Sequence, residues 1–191
     1  MTDATAETPT SRLRDEHVVI LAVADALEAL VTEAEAGRWN FGAFGDALTF
    51  IRLFADACHH GKEEDLLFPE LEKTGLPRDR GPIAVMLEEH RQGREFARHM
   101  AGALASAREG DERARATLRN AAAGYVNLIR GHIAKEDHVL FHMADQAVRG
   151  TACRTLCGAY AGVCGRHFEG HTKEQLTALA TSIRERAGLT A

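Results

Sequence analysis

Proline is scarce in this chain. Only residues 9, 69, 77 and 82 of 191 are proline, so nothing of that kind interrupts the stretch from Ile83 to Ala191. Aromatic residues are sparse too, at 6%, while alanine is the commonest residue; both favour helix over sheet and exclude an all-β sandwich. No apolar stretch approaches the roughly 18–20 residues that span a bilayer. The opening MTDATAETPTSR is polar and lacks the apolar centre of a signal peptide. There is no Lys/Arg run and the net charge is −5, so the electrostatic footprint of a nucleic-acid binder is missing. Four cysteines, three of them near the C-terminus, do not resemble the framework of a secreted disulfide scaffold, and a reducing cytoplasm is the expected location.

What is present is ordinary in amount, with 45% hydrophobic and 27% charged residues at a length suited to one domain. Histidine is the exception: ten of them, at 17, 59, 60, 90, 99, 132, 138, 142, 167 and 171. Residues 1–10 read as a flexible tail, with Thr10 or Ser11 as N-cap. Apolar residues then recur with helical spacing in four runs. These break at Gly37, at TGLPRDRGP (74–82), at Gly110-Asp111 and near Gly150. The expected fold is all-α: an antiparallel up-down-up-down four-helix bundle over residues 11–147. Residues 148–191 form a further helical segment packed on it.

The second and fourth runs share a local repeat, HHGKEEDLLF at 59–68 and HIAKEDHVLF at 132–141. His59 and Glu63 extend the inward stripe of the second helix, and His132 and Glu136 that of the fourth. His17 and His90 lie on the inward stripes of the first and third. Residues four apart lie about 40° apart around a helix, so each His-x-x-x-Glu aims one imidazole and one carboxylate the same way. The midpoints of the successive pairs His17/His59, His59/His90 and His90/His132 fall on the breaks at residue 38, Thr74-Gly75 and residue 111. The four imidazoles therefore sit near one level. A buried, unpaired carboxylate is very costly, and two of them among four imidazoles call for a cation. Six such donors exceed one tetrahedral zinc and suit two metals about 3.5–4 Å apart, each with two histidines and both glutamates bridging. The mixed imidazole and carboxylate set favours two iron ions, with manganese second. On this count each metal keeps one position open.

With those residues in view, the chain resembles the hemerythrin-like (HHE cation-binding) family. The segments DEHVVI, HHGKEEDLLFPEL, GPIAVMLEEH and HIAKEDHVLF match its four helices over about residues 11–147. The resemblance implies a non-haem di-iron site with His17, His59, Glu63, His90, His132 and Glu136 as ligands. It also implies dealings with oxygen, nitric oxide or peroxide, or with damaged iron centres. Oxygen-carrying members have a further histidine one turn after the His90 position, which here is Arg94. That departure shifts the expected function toward peroxide decomposition, as a di-iron oxidoreductase with catalase- or peroxidase-like activity. The alternative is a non-catalytic sensor of oxygen, nitric oxide or iron, or an iron carrier or repair protein, signalling through the C-terminal segment. A metal-free interaction bundle is the third reading.

Arg94, Tyr125 and Asp137 are candidates for groups that touch or orient the ligands. His60 and Glu64 could replace His59 and Glu63 after a one-residue slip, but position 60 pairs with Ile133 in the repeat. His99, His138 and His142 fall off the inward stripes. Cys153, Cys157, Cys164, His167 and His171 would share one face of a continuous helix. Functional readings of that face are a second metal site, a thiol cluster or a dimer seam, and the plainer one is close packing on the bundle. A glycine-flecked C-terminal helix leaves a homodimer open.

Overall fold

The computed structural model describes residues 8–189, so the tail expected at the N-terminus lies outside the described residues as far as residue 7. Six helices occur among the described residues: α1 (Ser11–Glu35), α2 (residues 41–73), α3 (Gly81–Arg108), α4 (residues 112–147), α5 (Gly150–His167) and α6 (Lys173–Arg186). No strand occurs among the described residues. Helix starts follow local chemistry. Asn40 caps α2 by accepting from the Ala43 N–H, and Asp111 caps α4 by accepting from the Arg113 and Ala114 N–H groups. Thr172 and Gln175 form a reciprocal capping box on α6. Thr10 occupies the N-cap of α1, but its buried hydroxyl donates to the Asp145 carboxylate (2.8 Å) and accepts from no helix N–H. Gly75 and Gly110, at φ +100° and +101°, make the left-handed turns that end α2 and α3.

Both α2 and α4 change pitch internally. Within α2, the α-helical Phe41–Phe50 gives way to π-helical Ile51–His60 and Glu63–Leu67 before α-helical Phe68–Lys73. Within α4, π-helical Glu136–Leu140 separates Glu112–Lys135 from Phe141–Ala147. The segments Glu63–Leu67 and Glu136–Leu140 occupy equivalent places in the sequence repeat. Pro69, which has no N–H for the ladder, follows the first, but the position equivalent to it after the second is His142. Proline is therefore not their common cause; the shared His-x-x-x-Glu motif is what both have.

Burial divides the interior in two. One apolar cluster runs through Leu27, Phe44, Phe54, Leu118 and Ile129, and the other through Leu13, Phe68, Ile83, Met86 and Phe141. His17 follows Leu13 of the second cluster and precedes Ile20 of the first, and His90 sits between Met86 and Ala97 in the same way. The charged residues thus form a polar layer between two apolar blocks.

The last two helices close one side. α5 lies along α2, where Val163 would stand 3.1 Å from a Cβ at Gly61 and a Cys58–Cys164 disulfide joins the helices. Cys58 and Cys164 lie 106 residues apart in sequence, and only the packed fold aligns them. The single face expected to carry Cys153 through His171 is corrected. α5 ends at His167, left-handed Glu169 and Gly170 turn the chain, and exposed His171 lies beyond the helix. The His167 side chain lies outside the described residues. Cys153 and Cys157 are buried with their sulfurs 3.8 Å apart, and the Tyr160 hydroxyl donates to the Pro9 carbonyl (2.8 Å). α6 then packs against both α1 and α2.

Candidate metal centre

Four helices deliver the polar layer. His17 comes from α1, His59 and Glu63 from α2, His90 from α3, and His132 and Glu136 from α4; none is more than 2% exposed. The imidazoles form two facing pairs. His17 Nε2 lies 3.0 Å from His59 Nε2, and His90 Nε2 lies 3.2 Å from His132 Nε2. The glutamates join the pairs. Glu63 presents Oε1 to His59 Nε2 (3.6 Å) and Oε2 to His90 Nε2 (3.4 Å). Glu136 Oε2 reaches His17 Nε2 (3.2 Å) and His132 Nε2 (3.3 Å).

The outward nitrogens are held as regularly. Nδ1 of His59 meets Glu16 (3.0 Å), Nδ1 of His132 meets Glu89 (3.0 Å), Nδ1 of His17 meets Asp137 (3.0 Å) and Nδ1 of His90 meets Glu64 (2.7 Å). A carboxylate accepting from Nδ1 fixes the tautomer and leaves the Nε2 lone pair facing inward. Lys62 donates to Glu16 and Lys135 to Glu89. Phe141 stacks on His17 (ring centroids 5.1 Å apart) and Phe68 on His90 (6.0 Å). These residues are one set used twice. Glu16, His17, His59, Lys62, Glu63, Glu64 and Phe68 recur 73 residues on as Glu89, His90, His132, Lys135, Glu136, Asp137 and Phe141.

Electrostatics follow from this crowding. Burial alone would make His17 and His90 weaker bases, but carboxylates overcome it. Asp137 and Glu136 raise His17 to about 9, and Glu63 and Glu64 raise His90 to about 9. Burial likewise opposes ionisation of Glu63, yet the imidazoles of His59, His90 and His60 hold its carboxyl well below the usual range. All four carboxylate oxygens of Glu63 and Glu136 are nevertheless buried without a hydrogen bond of acceptable geometry.

Of the other residues singled out in the sequence, Asp137 is the acceptor of His17 Nδ1 already described. Arg94 touches no histidine of the four; it donates to Asp56 (2.9 Å) and to Glu64 (2.7 Å), the carboxylate on His90. Tyr125 is buried and lines a cavity of about 370 Å³ with Asp56, His60, Arg94 and Arg98. Burial raises the Tyr125 phenol above its ordinary range. His99, His138 and His142 are exposed. The sequence offered His60 only as a slipped alternative to His59, yet it is buried beside His59 and stacked on His90 with ring centroids 3.8 Å apart. Adjacent residues diverge by about 100° on a helix. α2 packs against both α1 and α3, so His59 can face His17 while His60 faces His90. The repeat hid this, because Ile133 stands at the equivalent place.

The donor set fits a metal. Buried carboxylates without hydrogen-bond partners beside inward-facing imidazole nitrogens are what a cation compensates. Among the described residues, His17, His59, Glu63 and Glu136 form one group whose donor atoms lie within 4.8 Å of one another. His60, Glu63, His90 and His132 form another, sharing Glu63. A third group, Glu16 with Cys58 and Cys164, is spent in the disulfide.

Comparison with known proteins agrees. The family model for the hemerythrin HHE cation-binding domain matches residues 8–144. The chain belongs to that family. Three curated relatives, an uncharacterized protein of Mycobacterium bovis and two of Mycobacterium tuberculosis strains, are each 32% identical over 126 residues. The match covers 66% of this chain and 49% of each relative, so the chain spans about half the length of the curated relatives it matches. No solved structure matches it. As a hemerythrin HHE-domain protein it is an all-helical, metal-binding chain, and none of its described helices is long and apolar enough to cross a membrane.

Proposed function

We propose that this HHE-domain protein is a non-haem di-iron protein that binds or turns over a small oxidant, most concretely by decomposing peroxide. The observation that carries the reading is the pair of facing imidazole couples joined by two glutamates whose oxygens have no other partner. Two iron ions, when bound, would supply redox cycling and a position open to a small ligand. His17, His59, His90 and His132 would hold them through Nε2, and Glu63 and Glu136 would bridge. Glu16, Glu64, Glu89 and Asp137 keep each imidazole in the ligating tautomer. Phe68, Phe141 and the apolar clusters on either side keep bulk water from the carboxylates. In the same proposal the four long helices run up-down-up-down over residues 11–147, and the protein works in the cytoplasm. There the thiol poise would govern the Cys58–Cys164 bond.

One contact favours a second reading, a sensor or iron carrier signalling through the C-terminal segment. Lys173 of α6 donates to Glu16 (2.7 Å), the carboxylate that holds His59, so occupancy at the centre and the position of α6 are mechanically joined. Dimerisation through α5 belongs with that reading.

The deciding experiment is metal content with an ultraviolet–visible spectrum, before and after peroxide, on protein produced with iron. About two irons per chain with charge-transfer bands that respond to peroxide support the first reading. Iron that binds but neither consumes peroxide nor changes spectrum supports the second. No iron after anaerobic reconstitution overturns both.

A further inference from the structure

The Cys58–Cys164 disulfide opens onto a cavity. Among the described residues, Cys164 lines a space of about 410 Å³ where α5 turns into α6, together with Arg12, Lys62, His171 and Lys173. Sites for small molecules run from about 300 to 1,000 Å³. No aspartate or glutamate is in that lining. The buried Glu16 accepts from both Lys62 and Lys173, so two of the cations share one carboxylate. Cations around a recessed space gather anions and raise their rate of arrival about 10–1,000-fold. The two sulfurs are not equally placed. Cys58 is 0% exposed and Cys164 is 7% exposed, so a reagent entering the cavity meets Cys164. A bridge kept only to staple α5 to α2 needs no cationic entrance to one of its sulfurs.

We propose that this cavity is a docking site for an anionic small-molecule thiol, which opens the Cys58–Cys164 bond by thiol–disulfide exchange. The incoming thiol loses its proton to solvent, and its thiolate attacks Cys164 Sγ. A new S–S bond joins the small molecule to Cys164. The old bond breaks, and its electron pair leaves on Cys58 Sγ, which takes up a proton from solvent. A second thiolate attacks the sulfur of the bound molecule and releases it as a disulfide, and the Cys164 thiolate that leaves is protonated in turn. Two small thiols are thereby oxidised to one disulfide, and the protein bridge is reduced to two thiols. Glu16 can present an oxygen within 4.8 Å of both sulfurs and accepts from His59 Nδ1 (3.0 Å), so the exchange takes place beside the carboxylate that orients His59. The step itself needs no metal.

The probes are mercaptosuccinate, 2-mercaptoethanol and cysteamine, an anionic, a neutral and a cationic thiol, given to the full chain purified in air. Peptide mapping of acid-quenched samples by mass spectrometry follows the loss of the Cys58–Cys164 bridge. Each rate is divided by that of the same thiol on bis(2-hydroxyethyl) disulfide, which removes differences in thiolate content and nucleophilicity. The ratio for mercaptosuccinate should exceed that for 2-mercaptoethanol by at least about tenfold and shrink toward it as salt rises, and cysteamine should fall below both. Part-way through, the mercaptosuccinyl group should be on Cys164. Equal ratios, the group on Cys58, or a bridge that opens only in denaturant overturn the proposal, as does protein purified in air without that bridge. Arg12→Gln combined with His171→Gln should remove most of the advantage of mercaptosuccinate; a folded double variant that keeps all of it overturns the docking site. The thiol series on the unaltered chain decides by itself, so a variant that fails to fold does not protect the proposal.

Discussion

Glu16 and Glu89 occupy equivalent places in the repeated set but differ in what surrounds them, and that difference predicts two separable effects. Each accepts from a histidine Nδ1 at 3.0 Å and from a lysine. Lys62, the partner of Glu16, is 1% exposed, whereas Lys135, the partner of Glu89, is 46% exposed. Glu16→Gln leaves an ammonium buried without its counter-charge, a change that costs about 3–5 kcal/mol. Glu89→Gln releases Lys135 to water at about 0–1 kcal/mol. At 2–4 °C per kcal/mol for a chain of this size, metal-free Glu16→Gln should melt roughly 10 °C lower, and Glu89→Gln within a few degrees of the unaltered protein. Metal affinity should respond alike in both, because each replaces the charged carboxylate that orients one ligating imidazole with a neutral amide that has one acceptor oxygen: about 10–100-fold, or roughly 1.4–2.7 kcal/mol. Denaturant unfolding of the metal-free proteins and metal titration against a competing chelator read the two quantities. Equal stability losses at the two positions would refute the burial argument, and unchanged affinity in both would refute the orienting role.

Three further outcomes follow from the same interior. His17 and His90 sit at about 9 in the folded chain against an ordinary 6.5, so their contribution to metal-free stability is complete below pH 6.5 and is lost as the pH climbs through 9. Melting temperatures of the metal-free protein should therefore fall across that window, and metal binding near pH 7–8 should release protons to a pH indicator; a rising melting curve contradicts the assignment. Cys58→Ser, or a reductant, should lower stability by about 2–4 kcal/mol, since the disulfide joins residues 106 apart; unfolding with and without reductant measures it. Gly124→Ala would overlap the Phe96 ring and should cost about 1–2 kcal/mol with metal content unchanged, as read by denaturation and metal analysis.

Much of this interior was legible in sequence because period and breaks carry it. The breaks at Gly37, Thr74-Gly75 and Gly110-Asp111 coincide with the ends of α1, α2 and α3, and the six donors picked from inward stripes are brought together. What escaped depended on neighbours distant in sequence. Glu16 and Glu89 precede a ligand histidine by one residue, a position that reads as surface until a lysine and a second histidine close over it. Lys62 is buried because α5 and α6 cover α2, and nothing within α2 announces that cover. His60 escaped for a related reason: a helix with interior on two sides has two inward stripes, and a single periodic pattern reveals one. The π-helical turns have no signature in hydrophobic spacing, although both begin at the glutamate of the repeated motif.

The twofold use of one residue set has a structural consequence beyond economy. The carboxylates of Glu16 and Glu89 orient histidines within their own half of the repeat, His59 and His132 respectively. Asp137 and Glu64 instead reach across, from α4 to His17 and from α2 to His90. Glu63 and Glu136 also cross, each standing between an imidazole of its own half and one of the other. Neither half therefore contains a complete, oriented ligand set, and packing the two halves together is the step that assembles the centre. Metal binding then acts on the whole fold, because a cation that binds only the packed state stabilises every contact between the halves at once. The additions that break the equivalence, His60, Arg94 through Asp56, and the α5–α6 cover, all touch α2.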